Sequence, residues 1–480
     1  MRVYFMSICG TGMGNGALLM RALGHEVMGA DQNTYPPMSD RLKEKGIEVL
    51  PGYDAARLEA LDPDLVVVGN VNTRGNPEVE WLLEHRSIPF VSLPQVLSEE
   101  ILSGRRTVVV AGTHGKTTTT ALAAMLLDRA GFNPGYLIGG VPLDLPSGAH
   151  TGNSAAPFVI EGDEYDSAFF DKRSKFIHYC PHILILGNLE FDHADIFRDL
   201  EDVKRAFSHL IKLVPASGRI LVNSDDSTLE SLLDIDWAPI FRVGLGDRAD
   251  LQIVDYEAGE EGSSCSLYYH GRFWTRLELQ LGGLHNVRNA AMAGLASAFA
   301  AGHADPCSFD LSHLSQFTGV KRRQEILFKG DRLLILYDFG HHPTALRATL
   351  ESLRQRYPGR HLVMAFEARS NTACRKVHES AFELAFDLAD EVHLGEVFRP
   401  ERYGAGDRID LEAMARRLGE KARAHASNRN LQQCLEEQLG ILREPTVIVF
   451  FSNGSFEGIP GEIASRAREQ ERGDSSALTV

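Results

Sequence analysis

Thr107-Val108-Val109-Val110-Ala111-Gly112-Thr113-His114-Gly115-Lys116-Thr117-Thr118 is the stretch from which the fold is read. A β-branched run ends in a glycine turn, and a helical stretch from Lys116 to Ala130 follows. Strand, glycine loop and helix in that order are the context of a phosphate-binding loop. The glycines let backbone N–H groups approach phosphate oxygens, and the helix N-terminus adds partial positive charge. Lys116 is expected to reach the β- and γ-phosphates of a nucleotide, and Thr117 to bind Mg²⁺. The loop is short, with only Thr113 and His114 between Gly112 and Gly115. The competing reading is a chance glycine turn that happens to carry Lys-Thr.

The same rhythm runs outward in both directions. Upstream, Val3–Ile8 is expected as a buried strand. Gly10-Thr11-Gly12-Met13-Gly14-Asn15-Gly16 and a helix through Ala22 follow. Glu26–Ala30, Asp64–Gly69 and Pro89–Leu93 read as further strands. Downstream, Phe158–Ile160, Ile183–Leu186 and Arg219–Val222 continue the central unit. Alternating strands and helices indicate an α/β fold with parallel sheets. Leu251–Leu281 instead alternates apolar and polar residues, as antiparallel ribbons do. A helix from Asn286 to Ala301 precedes a third set of strands at Leu333–Tyr337, Leu362–Phe366, Glu391–Leu394 and Thr446–Phe451. Boundaries near 105 and 321 divide the chain into domains 1–105, 106–320 and 321–480. The charged, small-residue tail from Ala467 is expected to fray.

Composition narrows the function classes. Of 480 residues, 44% are hydrophobic and 24% charged, which excludes a disordered, collagen-like or disulfide-stapled chain. No apolar run reaches the ~18 residues of a membrane span. The start, Met1-Arg2-Val3-Tyr4-Phe5, lacks the features of a signal peptide, and a cytoplasmic location is expected. The 6 cysteines form no CxxC pair and read as reduced thiols. With 49 basic and 65 acidic residues the net charge is −16, which argues against a broad nucleic-acid surface. Small anionic ligands remain compatible, because glycine loops bind them without net positive charge.

Other segments carry candidate chemistry. Glu161-Gly162-Asp163-Glu164-Tyr165-Asp166 and Asn188-Leu189-Glu190-Phe191-Asp192-His193 follow strands of the central unit. Carboxylates beyond the carboxyl ends of such strands can hold Mg²⁺ opposite a triphosphate; the competing reading is helix caps or solvated loop charges. The N-terminal loop is weaker evidence, since Asn15 occupies the third-glycine position of GxGxxG. With Asp31 as a ribose-binding acid it fits a nucleotide-diphosphate site, and NAD stays open. Asn286 and Asn289 share a helix face and could read a base edge, or could be one cap and one surface amide. Asp338-Phe339-Gly340-His341-His342-Pro343 ends the first strand of the third domain, where helix capping is the alternative.

Taken together, and in this order along nearly the whole chain, these motifs resemble the Mur ligase family, ATP-dependent amide ligases of peptidoglycan assembly. The resemblance implies a Rossmann-like N-terminal domain for the UDP-sugar, a P-loop ATPase-type central domain, and a Rossmann-like C-terminal domain that closes on the amino substrate. It implies a UDP-sugar site of Gly10, Thr11, Gly12, Met13, Asp31, Asn72 and Thr73. It implies an ATP site of Gly112, Thr113, His114, Gly115, Lys116, Thr117 and Thr118, with Asn286 and Asn289 as adenine readers, Arg323 on phosphate and Asp338 on ribose. Thr117, Glu164 and His193 resemble the Mg²⁺ ligands, and Lys116, Glu164 and His193 the catalytic set. Four segments, Tyr35–Ser39, Phe170–Phe176, Leu189–Phe197 and Arg369–Thr372, resemble the branch of the family that joins UDP-N-acetylmuramic acid to L-Ala-γ-D-Glu-meso-diaminopimelate in peptidoglycan recycling. Arg369, Ser370 and Asn371 are the expected peptide-binding residues. Tyr337 stands where many relatives have a second Asp. Lys204 and Lys212 read as surface lysines, so no carbamylated lysine is assigned.

The implied chemistry has two steps. The lactyl carboxylate attacks the γ-phosphate of ATP to give an acyl phosphate. The peptide amine then displaces phosphate, and the base that deprotonates it stays unassigned. The substrates are UDP-N-acetylmuramic acid and a cell-wall peptide, with ATP and Mg²⁺. The expected assembly is a monomer or weak homodimer. The rivals are the L-alanine ligase of the same family, a nucleotide-sugar oxidoreductase using Gly10–Gly16 for NAD, and an ATP-driven switch.

Overall fold

The computed structural model describes residues 1–477 apart from Tyr35, Pro37, Ala405, Ile441 and Arg443, with side chains through Arg472. Two positions of the Tyr35–Ser39 segment therefore lie outside the described residues.

Three sheets follow one another along the chain. The first is parallel, with the strand at Arg2–Met6 flanked by Glu26–Asp31 and Leu65–Val68, and with Glu48–Pro51 and Phe90–Ser92 at the edges. Its order reverses beside the central strand, and a ligand crevice forms at such a reversal. The second sheet has 10 strands. Thr107–Ala111 lies inside it, between Phe158–Gly162 and Ile183–Leu186, both parallel to it. The alternating stretch forms antiparallel strands Leu251–Gly259, Gly262–Tyr269 and Arg272–Leu279 at one edge. The third sheet has 6 strands, and Leu333–Asp338, Thr446–Phe451, His361–Ala368 and Glu391–Val397 run parallel within it.

The apolar clusters divide the molecule differently from the sheets. Val3, Phe5, Leu97 and Ile101 of the first unit share one cluster with Val109, Phe158 and Phe207 of the second. The third sheet buries its two faces in separate clusters, in which the described residues all lie at or beyond position 327. Burial of side chains such as Phe366, Phe382 and Phe450 stabilises each by roughly 2–3 kcal/mol.

One expectation is corrected. The tail does not fray at Ala467: the helix Ile459–Ala477 continues through it. Ala467 itself is buried against the third sheet, and Arg466 pairs with Glu436, so packing holds a segment whose composition suggested fraying.

Candidate active site

The glycine loop after Thr107–Ala111 turns with φ of 149° at Gly112 and 79° at Gly115, values that favour glycine. At Gly115 space is closed as well, since an added Cβ would lie 2.8 Å from Asn289 Oδ1. Asn188 braces the loop from the neighbouring strand end. Its Oδ1 accepts from His114 N at 2.7 Å, and its Nδ2 donates to the His114 carbonyl at 3.1 Å. The helix Lys116–Arg129 then begins with Gly115 as its N-cap and no side-chain cap, which leaves its first N–H groups available to an anion.

Lys116 Nζ donates to Gly112 O at 2.7 Å and to both Glu164 oxygens at 2.8 and 3.1 Å. His193, held at a φ of 57°, brings Nε2 to 3.0 Å from Glu164 Oε1. Glu164 is 3% exposed, and burial alone would raise its pKa; Lys116 and His193 outweigh that and hold the carboxylate below its ordinary range. Burial likewise opposes charge on Lys116, but Glu164 and Asp163 hold the ammonium above its usual range.

Thr117 sits differently. Its hydroxyl donates to Glu161 Oε2 at 3.3 Å and accepts from Arg323 Nη2 at 3.1 Å. Arg323 also lies 4.4 Å over the Phe339 ring. Asp338 accepts backbone N–H bonds from Gly340 at 2.7 Å and Gln324 at 2.9 Å, while burial pushes its pKa up. Asn286 donates to Gly282 O and accepts from Asn289, so the two amides are already joined.

Most of these residues, though not Gly112 or the buried Glu164, line one cavity of about 560 Å³ between the second and third sheets. It gathers Thr113 through Thr118, His193, Asn286, Asn289, Arg323, Asp338 and Ser370. Arg369 and Asn371 do not line it. Arg369 lies 4.0 Å over the Phe398 ring with Nη1 at 3.4 Å from the buried Glu367. Asn371 donates to Asp195 Oδ2 at 2.9 Å, and Thr372 Oγ1 accepts from Ala194 N at 3.2 Å. The segments Leu189–Phe197 and Arg369–Thr372 thus meet across the boundary between the two sheets.

A histidine cluster adds to that boundary. His342 Nε2 lies 3.3 Å from the Phe191 carbonyl, and its Nδ1 lies 3.1 Å from His114 Nε2 and 3.2 Å from Glu190 Oε2. His114 also reaches Glu190 at 3.3 Å. Burial holds His342 neutral. Glu161, Asn188, Glu190 and His342 lay within quoted motifs but had no assigned role; their partners come from other strands, which spacing along the chain does not reveal.

The N-terminal residues lie apart, at the carboxyl ends of the first sheet. Gly10 caps the helix Thr11–Ala22, and Met13 is buried in it. Asp31 accepts from Cys9 N at 2.9 Å and Asn33 N at 3.0 Å. Asn72 is buried against Ser7 and Gly69, whereas Thr73 is exposed. Lys204 pairs with Glu201 and Lys212 is exposed, in keeping with surface lysines.

Comparison with known proteins agrees with this arrangement. Three family models match in chain order: the Mur ligase family catalytic domain over 2–105, the Mur ligase middle domain over 110–297, and the Mur ligase glutamate ligase domain over 322–454. The chain is 44% identical over 397 residues, 82% of its length and 84% of the relative's, to the UDP-N-acetylmuramate–L-alanyl-γ-D-glutamyl-meso-2,6-diaminoheptandioate ligase of Escherichia coli. It is 37% identical to the ligase of that name from Haemophilus influenzae, over 97% of this chain and 99% of that one. The UDP-N-acetylmuramate–L-alanine ligase of Desulfitobacterium hafniense is 32% identical, over 86% of this chain and 88% of that one. Among solved structures, a murein peptide ligase from Psychrobacter arcticus superposes with a TM-score of 0.70 at 35% identity, covering 97% of this chain and 98% of its own. The chain belongs to the Mur ligase family.

Proposed function

We propose that this protein joins UDP-N-acetylmuramic acid to L-Ala-γ-D-Glu-meso-diaminopimelate, using ATP and an acyl-phosphate intermediate. The observation that carries the reading is that Lys116 and His193, which line a cleft whose far wall is the third sheet, converge on the buried Glu164 beside the glycine loop. Relatives named for the tripeptide reaction are more similar to this chain than those named for L-alanine, at 44% and 37% against 29–33% identity. In this reading 1–105 takes the UDP-sugar, 106–320 the ATP and 321–480 the peptide, and the reaction runs in the cytoplasm, where ATP and UDP-sugars are found.

Glu164 Oε1 and His193 Nε2, 3.0 Å apart, fit one small divalent ion, and Thr117, in the first turn of the helix, would turn its hydroxyl from Glu161 to join them. Bound there, Mg²⁺ would neutralise charge on the phosphates. Lys116 leaves Glu164 for the γ-phosphate and stabilises the charge that builds as the lactyl carboxylate attacks. Arg323 stands beside Thr117 and offers the phosphates a second cation. His193 facing the ion cannot also take the amine proton. Positioning and charge stabilisation supply the catalysis.

The test measures ADP release with UDP-N-acetylmuramic acid present and either tripeptide or L-alanine added. Release that needs the tripeptide supports the reading. A preference for L-alanine would replace it with the L-alanine ligase, release without acceptor with a switch, and no ATP use with an oxidoreductase.

A further inference from the structure

Outside the cleft, three potential metal-binding side chains converge in the third sheet. His393 lies on the strand Glu391–Val397, His425 directly follows the short edge strand Ala422–Ala424, and Cys434 is on the helix Asn428–Leu439. One ligand atom from each lies within 4.8 Å of the other two. His393 is fully buried. None of the three lines the cleft.

The hydrogen bonds fix which atoms face inward. Glu391 Oε1 lies 3.0 Å from His393 Nε2. A carboxylate only accepts, so Nε2 carries the proton and Nδ1 of His393 presents its lone pair. That nitrogen is 2.9 Å from His425 Nε2, which must then be the donor. Glu391 is itself held by Gln438. A carboxylate on the outer nitrogen of an imidazole is the arrangement that orients a metal-bound histidine. Arg423 Nη1 lies 3.7 Å from Cys434 Sγ and, on an exposed side chain, can swing away.

We propose that His393 Nδ1, His425 Nε2 and Cys434 Sγ form a binding site for a zinc-type transition-metal ion that clips the edge strand and helix to the sheet. Two imidazoles and a thiolate suit zinc and exclude Mg²⁺. Tetrahedral zinc bonds of about 2.1 Å to nitrogen and about 2.3 Å to sulfur put the two nitrogens about 3.3 Å apart, so the pair opens slightly while the sulfur closes in. Water fills the fourth position. On binding, Cys434 loses its S–H proton to solvent, and the proton on His425 moves from Nε2 to Nδ1.

The experiment titrates Co²⁺, then Zn²⁺, into the metal-stripped full chain with saturating Mg²⁺ present. The expected result is one Co²⁺ per chain with a thiolate-to-cobalt charge-transfer band, absent in Cys434→Ser. His425→Gln is expected to weaken binding at least tenfold. Zn²⁺ should release one proton per ion and raise Tm in the wild type but not in Cys434→Ser. The Mg²⁺ site holds no sulfur and contributes no such band. No band in the wild type, a band that survives Cys434→Ser, or unchanged affinity in a folded His425→Gln would each overturn the proposal.

Discussion

Lys116 Nζ lies 2.8 Å from Glu164 Oε2, so the loop's only lysine rests on a carboxylate expected to hold the metal. Both groups are largely shielded from water, with side-chain exposures of 15% and 3%. Removing one partner of such a pair costs about 3–5 kcal/mol, because the other is left buried and unpaired. Lys116→Ala is expected to lower Tm and abolish ATP turnover, while UDP-N-acetylmuramic acid binding by calorimetry persists. Lys116→Ala with Glu164→Gln should recover Tm and not turnover. Turnover within tenfold of wild type in the single variant would remove Lys116 from the chemistry.

Glu164→Gln and His193→Ala are each expected to raise the Mg²⁺ concentration for half-maximal activity at least tenfold, since each deletes a donor of a convergent pair. Activity titrated against Mg²⁺ decides this. Unchanged titrations for both would make them structural.

Arg369→Ala is expected to reduce kcat/KM for the tripeptide by roughly 2–4 kcal/mol in transition-state binding, with KM for ATP unchanged. Lysine should rescue only part, because it keeps the charge and loses the fork. The guanidinium in the structure stacks on Phe398 and touches Glu367, so it is preset rather than free. Wild-type tripeptide kinetics in the alanine variant would place the peptide carboxylates elsewhere.

Asn371→Ala and Asp195→Ala remove the same bond across the domain boundary. Each should cost about 1 kcal/mol in kcat/KM for the tripeptide, and the double variant no more than the larger single. Fully additive losses would show that the two residues act separately.

Gly115→Ala should raise KM for ATP at least tenfold, since the positive φ and Asn289 both resist a methyl group. Normal ATP kinetics would mean the loop relaxes freely.

The sheets were legible because buried parallel strands such as Thr107–Ala111 and Thr446–Phe451 are β-branched or aromatic runs closed by polar turns. The loop was legible because its chemistry is local. What was not legible depends on chain-distant partners. Asp31 reads as a ribose-binding acid, and the bond it accepts from Cys9 N, 22 residues away, is not visible in its own segment. Asn371 reads as a peptide donor, and its bond to Asp195, 176 residues away, is not visible in the sequence. The final helix is polar enough to suggest a loose tail, and only its packing against the third sheet reveals otherwise.

The division of the apolar clusters has a calorimetric consequence. The first two units share a cluster, so parting them would wet hydrocarbon. No cluster of the described residues straddles the entry to the third unit, where the bonds include His114 to His342, Asn371 to Asp195, Thr372 to Ala194 and Arg323 to Thr117. Water can replace each of these. A swing of the third unit therefore wets less hydrocarbon than parting the first two, and its heat-capacity change should be small beside the large positive value of unfolding. Domain swings in this protein would then cost little in exposed hydrocarbon.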